Sequence, residues 1–251
     1  MLINGHDLNV EQHGPRDGPD VILLHHGLGS IQSWREQIPV LAKAGYHITA
    51  YDRWGYGGSE QRAGLDLPTF TTDINDLYCL LGQLGIQRVA LIGHSDGGTI
   101  SFYFAAQYPN LVSCLVSVAA HIYIEPRMEQ SIQGVRSAFD TQERFRKGLY
   151  KAHGAKFETV FHNWFDGWHQ NEFLSWDIRP ILERIRCPAL IVQGELDEHA
   201  TPQHAKDAAE AIPGAEAWIV PQAGHMLPLE NAEIFNPRLL GFLKVNAAIY
   251  C

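Results

Sequence analysis

Six short runs of apolar residues are spaced along the chain, and each is long enough for one β-strand. Within them the apolar residues follow one another with little polar alternation, which is typical of strands covered on both faces. The runs are Asp20–Gly27, His47–Asp52, Arg88–Ser95, Cys114–Ala120, Ala189–Gly194 and Ala217–Gly224. We therefore predict a mostly parallel sheet whose strands lie inside the molecule.

Between these runs, apolar residues recur at the spacing of a helix. The predicted helices are Ser33–Ala44, Phe70–Leu84, Thr99–Tyr108 and Gln203–Ile212. Alternating strands and helices are typical of α/β proteins, in which helices cover both faces of a parallel sheet. The predicted fold class is therefore α/β, with a doubly wound sheet.

One segment interrupts the alternation. Between Ile122 and Arg186 there is no strand-like run, and aromatic residues interleaved with charges indicate amphipathic helices. The aromatic residues are Phe139, Phe145, Tyr150, Phe157, Phe161, Trp164, Phe165, Trp168, Phe173 and Trp176. We expect most of them to pack the insertion onto the core and a few to line a pocket.

These patterns predict a core of residues 1–121 and 187–251 and a helical lid of residues 122–186. The lid would cover the carboxyl ends of the strands, where open α/β sheets bind their ligands.

Composition narrows the classes of partner. The chain has 251 residues, of which 45% are hydrophobic and 19% charged, as is ordinary for a globular protein. Its formal net charge of −9 argues against binding to nucleic acid or anionic membranes, because both select basic surfaces. The same charge disfavours strongly anionic substrates. We expect a small-molecule substrate.

The start of the chain, MLINGHDLNVEQHG, lacks the features of a signal peptide, and no apolar run approaches the roughly 18–20 residues of a membrane span. The cysteines Cys79, Cys114, Cys187 and Cys251 are widely spaced and form no CxxC pair. We interpret them as free thiols, with a zinc site or a disulfide framework as the alternative. The expected protein is cytoplasmic, binds no metal or cofactor, and is a monomer or a small homo-oligomer.

The stretch GHSDGG, Gly93–Gly98, follows an apolar strand and precedes a helical segment. Its first five residues fit G-x-S-x-G, a sharp strand-to-helix turn that exposes a nucleophilic serine. The flanking glycines let the chain reverse tightly, and the helix N-terminus favours negative charge. We predict that Ser95 is a nucleophile and that His94 packs beneath the turn.

A serine hydroxyl becomes reactive when a histidine accepts its proton and a carboxylate orients that histidine. In hydrolases built on this turn, the order along the chain is serine, acid, histidine. Asp197 and His225 follow the last two predicted strands, which places both at the same sheet edge as Ser95. Glu195 and Glu198 are rival acids in the loop of Asp197.

The stretch HHGLGS, His25–Ser30, follows the first of the apolar strands. Its glycines allow backbone N–H groups to point into the site. We predict that the N–H groups of Leu28 and Asp96 form an oxyanion hole, in which one donor typically contributes roughly 3 kcal/mol to the transition state. The alternative is an ordinary strand-to-helix turn.

Together these motifs resemble those of the α/β-hydrolase superfamily over the whole chain. HHGLGS, YDRWGYGGS, GHSDGG, GELDEHATP and AGHMLPLE occur in the order expected for that superfamily. GHSDGG, the lid stretch IQGVRSAFDTQERFRKGLY…FHNWFDGW and the run RIRCPALIVQGELD resemble, more narrowly, the valacyclovir hydrolase (biphenyl hydrolase-like) group. The resemblance implies a serine hydrolase that cleaves esters of α-amino acids, in which Asp96 binds the substrate's ammonium group.

The chain also departs from the pattern of these relatives. His26 precedes the oxyanion glycine, Glu198 and His199 follow the acid where a proline is usual, and Pro237 interrupts the last helix. None of these changes removes a catalytic group, but they leave the shape of the pocket and the substrate open. YDRWGYGGS is interpreted as architectural, a turn that braces the sheet edge.

An aspartate beside the nucleophile needs an explanation, because an ionised Asp96 would oppose the negative charge of acyl transfer. A cation bound between this carboxylate and the scissile carbonyl removes that penalty. A charge-assisted hydrogen bond of roughly 1.5–3 kcal/mol would favour an α-ammonium ester by about 10- to 150-fold over a neutral isostere. In the alternative, Asp96 turns away from the pocket and caps backbone N–H groups.

Three functions are compatible with these residues. The first is an aminoacyl-ester hydrolase with the triad Ser95, His225 and Asp197. The second is a general carboxylesterase, a lactonase or a carbon–carbon bond hydrolase with the same triad, and the third is a binding protein without turnover. His121 and Tyr123, where the lid begins, are candidate substrate-binding residues because of their position in the chain.

Overall fold

A computed structural model describes residues 1–169 and 175–247, so the predicted lid aromatic Phe173 and the cysteine Cys251 lie outside the described residues. The strands are β1 Leu2–Ile3, β2 His6–Asp7, β3 Val10–His13, β4 Asp20–Leu24, β5 His47–Tyr51, β6 Val89–His94, β7 Val112–Val118, β8 Ala189–Gly194 and β9 Glu216–Val220. Strands β1 and β2 form a small hairpin, and the other seven form one sheet in the order β3-β5-β4-β6-β7-β8-β9.

The six predicted runs all form strands of this sheet, and they pair in parallel, which confirms the predicted α/β fold class. The apolar pattern missed β1, β2 and β3. These are short strands, and β3 pairs antiparallel with β5 at the sheet edge, where its residues are only half-buried. An edge strand has no need for a continuous apolar run.

Two apolar clusters lie on opposite faces of the sheet, because successive side chains of a strand point to opposite sides. Ile22 and Leu24 of β4 belong to one cluster, whereas Val21 and Leu23 belong to the other. Helices cover both faces, so the sheet is doubly wound. The helices outside the long connection between β7 and β8 are α1 Ile38–Lys43, α2 Thr71–Leu84, α3 Asp96–Gln107, α8 Gln203–Ala211, α9 Leu227–Glu230 and α10 Ala232–Asn246.

The helices differ from the expectations in detail, and α3, for example, begins at Asp96 rather than at Thr99. The segment Ser33–Ala44 is not one helix, because a 3₁₀ turn over Ile31–Trp34 precedes α1. Ser30 caps that turn with a reciprocal hydrogen bond to Ser33, and a proline in the first turn of α1 marks a new start. The last helix, α10, continues through Pro237, so this proline does not interrupt it.

Among the described residues between β7 and β8, the structure has four α-helices: α4 Pro126–Thr141, α5 Glu143–His153, α6 Phe157–Trp168 and α7 Arg179–Leu182. The ring of Phe139 in α4 stacks on that of Phe161 in α6, with centroids 3.7 Å apart. Both rings belong to the same apolar cluster as Leu67 and Phe70 of the core. The helical insertion is therefore joined to the core by a continuous cluster of apolar side chains.

No helix within the described part of the chain is long and apolar enough to span a membrane.

Candidate active site

The register of the sheet aligns the carboxyl ends of its strands. Leu24 pairs with Gly93, and His94 pairs with Val118, while Gly194 pairs with Val220 on the far side of the sheet. The loops that follow these strands therefore open at one edge. That edge brings together segments that are up to about two hundred residues apart in the chain.

Ser95 occupies the sharp turn between β6 and α3 and has backbone angles φ 53° and ψ −120°. A residue other than glycine in such a region costs on the order of 1–3 kcal/mol and persists only where its surroundings hold it. Its N–H donates to the Val118 carbonyl oxygen at 2.8 Å, and its own carbonyl oxygen accepts from Gly98 at 2.8 Å and Thr99 at 3.0 Å. The backbone of the candidate nucleophile is thus fixed on both sides.

The neighbouring glycines leave no room for a side chain. A Cβ on Gly93 would overlap the carbonyl oxygen of Gly97, and a Cβ on Gly97 would overlap that of Leu24. The spacing of glycines around Ser95 is therefore a steric requirement of this turn.

His225 and Asp197 form a buried pair. The Nδ1–H of His225 donates to Asp197 at 2.9 Å from Oδ2 and 3.1 Å from Oδ1. The same carboxylate accepts the backbone N–H groups of His199 at 2.7 Å and Ala200 at 3.1 Å and the side-chain amide of Gln193 at 2.6 Å. These contacts orient the imidazole and leave Nε2 as its accepting nitrogen.

The charges of this pair shift both pKa values. Burial alone would lower the pKa of His225, but the Asp197 carboxylate more than offsets this and raises it above 6.5. Burial alone would raise the pKa of Asp197, but His225 and the surrounding hydrogen bonds hold it well below its usual range. Asp197 is therefore an anion throughout the physiological range.

The rival acids make other contacts. Glu198 accepts the backbone N–H of His225 at 3.2 Å, and Glu195 accepts that of Gln222 at 3.0 Å. Asp197 is the one of the three that bonds to the His225 ring.

A cavity of about 570 Å³ lies at this sheet edge and is lined by both Ser95 and His225. Within the described residues no hydrogen bond joins Ser95 Oγ to the His225 ring. Catalytic hydrogen bonds are often long in free enzymes and tighten in complexes. His94, which is buried under the turn, donates through Nε2–H to the His225 carbonyl oxygen at 2.8 Å and so ties the two loops together.

Leu28 and Asp96, the residues predicted to supply oxyanion donors, also line this cavity. Asp96 is the first residue of α3, so its N–H has no acceptor within the helix. The loop before Leu28 is held by His26, whose carbonyl oxygen accepts from Gly29 at 3.0 Å and from His25 Nδ1 at 2.8 Å.

The Asp96 side chain is buried, and it lines the cavity. Its Oδ2 has no hydrogen-bond partner among the described residues. Among the described residues, no backbone N–H donates to the Asp96 carboxylate. This does not favour the alternative in which Asp96 caps the helix. Burial raises the pKa of Asp96 to about 6, although Arg53 and a hydrogen bond from Trp168 lower it.

Arg53 lies beside Asp96, and the sequence did not single it out, since YDRWGYGGS was interpreted as architectural. Its Nη2 lies 3.7 Å from Asp96 Oδ2, and its Nη1 lies 3.1 Å from Asp73 Oδ1. Only 1% of Arg53 is exposed, so it is a buried counter-ion of the Asp96 carboxylate. Its position two residues after β5, at the edge that holds the site, is the signal that could have identified it.

The two residues at the start of the insertion differ in position. His121 lines the cavity and donates through Nε2–H to the His199 carbonyl oxygen at 3.2 Å. Tyr123 is not among the residues that line it. Its ring stacks on His204, with centroids 4.2 Å apart, beneath the Arg179 guanidinium.

His199, noted in the sequence only as a departure from the family pattern, packs edge-on against the His225 ring at a centroid distance of 4.4 Å. Its Nδ1 forms a hydrogen bond with the hydroxyl of Ser131 in α4. Burial lowers its pKa to about 4, so its ring is neutral beside His225 at neutral pH.

The insertion contributes most of the apolar wall of the cavity. These side chains are Met128, Ile132, Val135, Ala138, Phe145, Leu149, Trp164 and Trp168. Asp96 and Glu198 are acidic lining residues, and no lysine or arginine from residues 1–169 or 175–247 lines the cavity. The site is thus apolar with acidic groups at the sheet edge. Over the same residues, no cluster of three or more histidine, cysteine or acidic side chains is arranged to hold a metal ion.

Comparisons with known proteins agree with this architecture. Residues 20–175 match the family described as alpha/beta hydrolase fold. The chain is 32% identical to the human Serine hydrolase BPHL over 97% of this chain and 85% of that protein. It is 29% identical to the Bifunctional esterase/perhydrolase DCH of Acinetobacter calcoaceticus over 96% of this chain and 97% of that protein.

A solved structure, the enol-lactonase from Burkholderia xenovorans LB400, superposes with a TM-score of 0.76 at 24% identity, covering 97% of this chain and 99% of the lactonase. At that identity the likeness shows the fold alone.

Proposed function

This chain belongs to the α/β-hydrolase fold family and is a hydrolytic enzyme, and we propose that it cleaves carboxylic esters through an acyl-enzyme on Ser95. The observation that supports this most strongly is the pairing of His225 with a buried Asp197 beside a cavity that Ser95 also lines. We also propose that residues 1–121 and 187–251 form the core and that residues 122–186 form a lid.

In the proposed mechanism, Ser95 Oγ attacks the ester carbonyl carbon, and its proton moves to Nε2 of His225. Asp197 holds the imidazole by Nδ1–H and stabilises the imidazolium. The carbonyl oxygen becomes an oxyanion and accepts hydrogen bonds from the N–H groups of Leu28 and Asp96. When the tetrahedral intermediate collapses, the carbon–oxygen bond breaks and the alcohol leaves with the proton from His225.

Water then attacks the acyl-enzyme. His225 removes a proton from this water and later returns it to Ser95 Oγ as the acid leaves. The proposed relay uses side chains and backbone groups of this chain. His94 supports the relay by holding the loop that carries His225.

Asp96 supports a preference for esters of α-amino acids. Its Oδ2 has no hydrogen-bond partner within the described residues, and the carboxylate lines the cavity. A substrate ammonium group there would donate to Oδ2 and neutralise the charge that otherwise opposes the oxyanion. With a pKa of about 6 in the free protein, Asp96 is mostly ionised at pH 7 and is able to bind a cation.

A second candidate is an ester hydrolase without selection for an amine. The observation that favours it is Arg53, which lies 3.7 Å from Asp96 Oδ2 and already supplies a buried positive charge. Hydrolysis of the anionic carbon–carbon substrates is less favoured, because Asp96 and Glu198 would repel them. The proposed compartment is the cytoplasm, which suits the free thiols of Cys79, Cys114 and Cys187.

Paired esters test the proposal. The p-nitrophenyl esters of an α-amino acid and of its deamino analogue differ only in the ammonium group. We expect both to be hydrolysed with a burst of p-nitrophenol, and the amino ester with a higher kcat/KM by about 10- to 150-fold. Equal kcat/KM values would favour the second candidate, and no hydrolysis of either ester would contradict esterase activity itself.

A further inference from the structure

The insertion reaches the candidate oxyanion loop through one histidine. His153 is the last residue of α5, and only 4% of it is exposed. Its Nδ1 accepts the backbone N–H of Gly57 at 2.9 Å, and its Nε2–H donates to the carbonyl oxygen of Leu28 at 3.1 Å. The ring of His153 therefore connects the insertion to two core loops, at Leu28 and Gly57, which lie 29 residues apart in the chain.

Both bonds require one form of the ring. An Nδ1 that accepts and an Nε2 that donates define a single neutral tautomer, because a protonated ring has no accepting nitrogen. Burial lowers the pKa of His153 and outweighs the hydrogen bond to the Leu28 carbonyl oxygen and the Asp52 charge, which raise it, while Lys156 lowers it slightly. The ring is therefore neutral at and above neutral pH, and it is packed edge-on against Tyr56.

Two carbonyl oxygens of the oxyanion loop are held from different parts of the molecule. The His26 carbonyl oxygen accepts from Gly29, His25 and Arg53, all of which are core residues. The Leu28 carbonyl oxygen, in contrast, is held by His153 of the insertion. The N–H of Leu28 lies between these two carbonyl groups in the chain, so its direction depends on both of them.

We propose that His153 is a positioning residue through which the insertion sets the Leu28 oxyanion donor. By holding the Leu28 carbonyl oxygen, it restricts rotation of the backbone at Leu28 and keeps the N–H directed at the substrate oxygen. This inference rests on the proposed function, since it matters only if the Leu28 N–H stabilises an oxyanion. With this role for His153, the rate of acylation depends on how the insertion docks on the core, although the insertion supplies no residue of the triad.

Two conservative variants separate the two hydrogen bonds of His153. The amide nitrogen of glutamine can occupy the place of Nε2, so His153→Gln retains a donor for Leu28. The amide oxygen of asparagine can occupy the place of Nδ1, so His153→Asn retains an acceptor for Gly57 and loses the donor. A donor displaced by about 1 Å costs on the order of 10²-fold in rate.

We expect His153→Asn to lower kcat for a p-nitrophenyl ester by about 10- to 100-fold with KM changed less than about threefold. His153→Gln should stay within about fivefold of the wild type in kcat. The rate of fluorophosphonate labelling should follow the same order, since its transition state also places negative charge on an oxygen. If His153→Asn does not fold, His153→Ala with added imidazole replaces it, and the expected result is a partial recovery of kcat.

A matched control is Asn163→Ala. Asn163 Nδ2 donates to the Arg62 carbonyl oxygen at 2.9 Å, so this variant removes a different hydrogen bond between the insertion and the core, one that does not involve Leu28. We expect its kcat to stay within about twofold of the wild type. A loss equal to that of His153→Asn would show that general docking is responsible, and this would overturn the inference.

Equal kcat values for the asparagine, glutamine and wild-type proteins would also overturn it. Measuring Ser95→Ala in the same series keeps this inference distinct from the proposed function. If Ser95→Ala loses activity and the His153 variants do not, only the role of His153 fails. If Ser95→Ala retains activity, the proposed function fails first.

Discussion

The sheet edge and the helical insertion meet at one cavity, but they are built by different means. At the sheet edge the candidate catalytic groups are held by backbone geometry and buried charge, as shown by the strained Ser95 and by the four donors around Asp197. The insertion presents mainly apolar side chains, such as Phe145 and Trp164. The edge is therefore suited to chemistry and the insertion to binding.

This contrast predicts different kinetic signatures. Changes at the sheet edge should lower kcat by orders of magnitude, because its groups act on charge that develops in the transition state. Changes in the apolar wall should alter KM by small factors, because they remove contacts that are similar in the ground state and the transition state. His153 is the exception that we infer, since it belongs to the insertion but acts on kcat.

The largest effect is expected for Ser95→Ala. Removal of the nucleophile should lower kcat for a p-nitrophenyl ester by roughly 10⁴- to 10⁶-fold, while the thermal midpoint changes little. The matched control is Ser137→Ala, an exposed serine of α4, which should behave like the wild type. Activity of Ser95→Ala above about a tenth of the wild-type value would contradict the assignment.

The next largest effect is expected for Asp197→Asn. Losing the carboxylate that orients His225 should lower kcat by about 10⁴-fold. In the wild type, the raised pKa of His225 means that kcat/KM should fall as the pH drops through a value above 6.5, because the neutral imidazole is the base.

In Asp197→Asn this acidic limb should move to lower pH, since the charge that raises the pKa of His225 is gone. The control is Glu195→Gln, whose carboxylate bonds to Gln222 at the surface. A pH profile that is unchanged in Asp197→Asn would contradict the pairing of Asp197 with His225.

Asp96→Asn should have a smaller and more selective effect. We expect the preference for an amino ester over its deamino analogue to fall by about 10- to 150-fold, because the charge-assisted hydrogen bond is lost. The kcat/KM for the deamino ester should stay the same or rise, since a charge that opposes the oxyanion is removed. If the preference is identical in wild type and Asp96→Asn, the carboxylate does not select the amine.

The smallest effect is expected in the apolar wall. Phe145→Ala should raise KM for bulky esters by about 3- to 10-fold and leave kcat within about twofold, because it removes apolar contact area alone. Tyr150→Ala is the control, since Tyr150 lies on the same helix and is 58% exposed. A large loss of kcat in Phe145→Ala would contradict the division of labour between the two regions.

The sequence allowed prediction of the features that local patterns determine. The six apolar runs became parallel strands because each lies between two layers of helices, and the glycines around Ser95 follow from the steric limits of its turn. The positions of Asp197 and His225 follow from the same logic, since loops after parallel strands open at one edge.

Contacts between side chains from distant segments could not be predicted in this way. The approach of Arg53 to Asp96 and the bridge made by His153 depend on how the segments pack, and no periodic pattern encodes such packing. Tyr123 illustrates the same limit, because lying two residues from His121 in the chain did not bring it to the cavity.

The central claim is that Ser95 is the nucleophile, and its most direct test is to identify the residue that a fluorophosphonate modifies. The protein is treated with a fluorophosphonate, digested and mapped by mass spectrometry, with His225→Ala treated in parallel. We predict one adduct, on the peptide that contains Ser95, formed at least about 100-fold more slowly in His225→Ala. An adduct on any other residue, or equal labelling rates in the two proteins, would contradict the account.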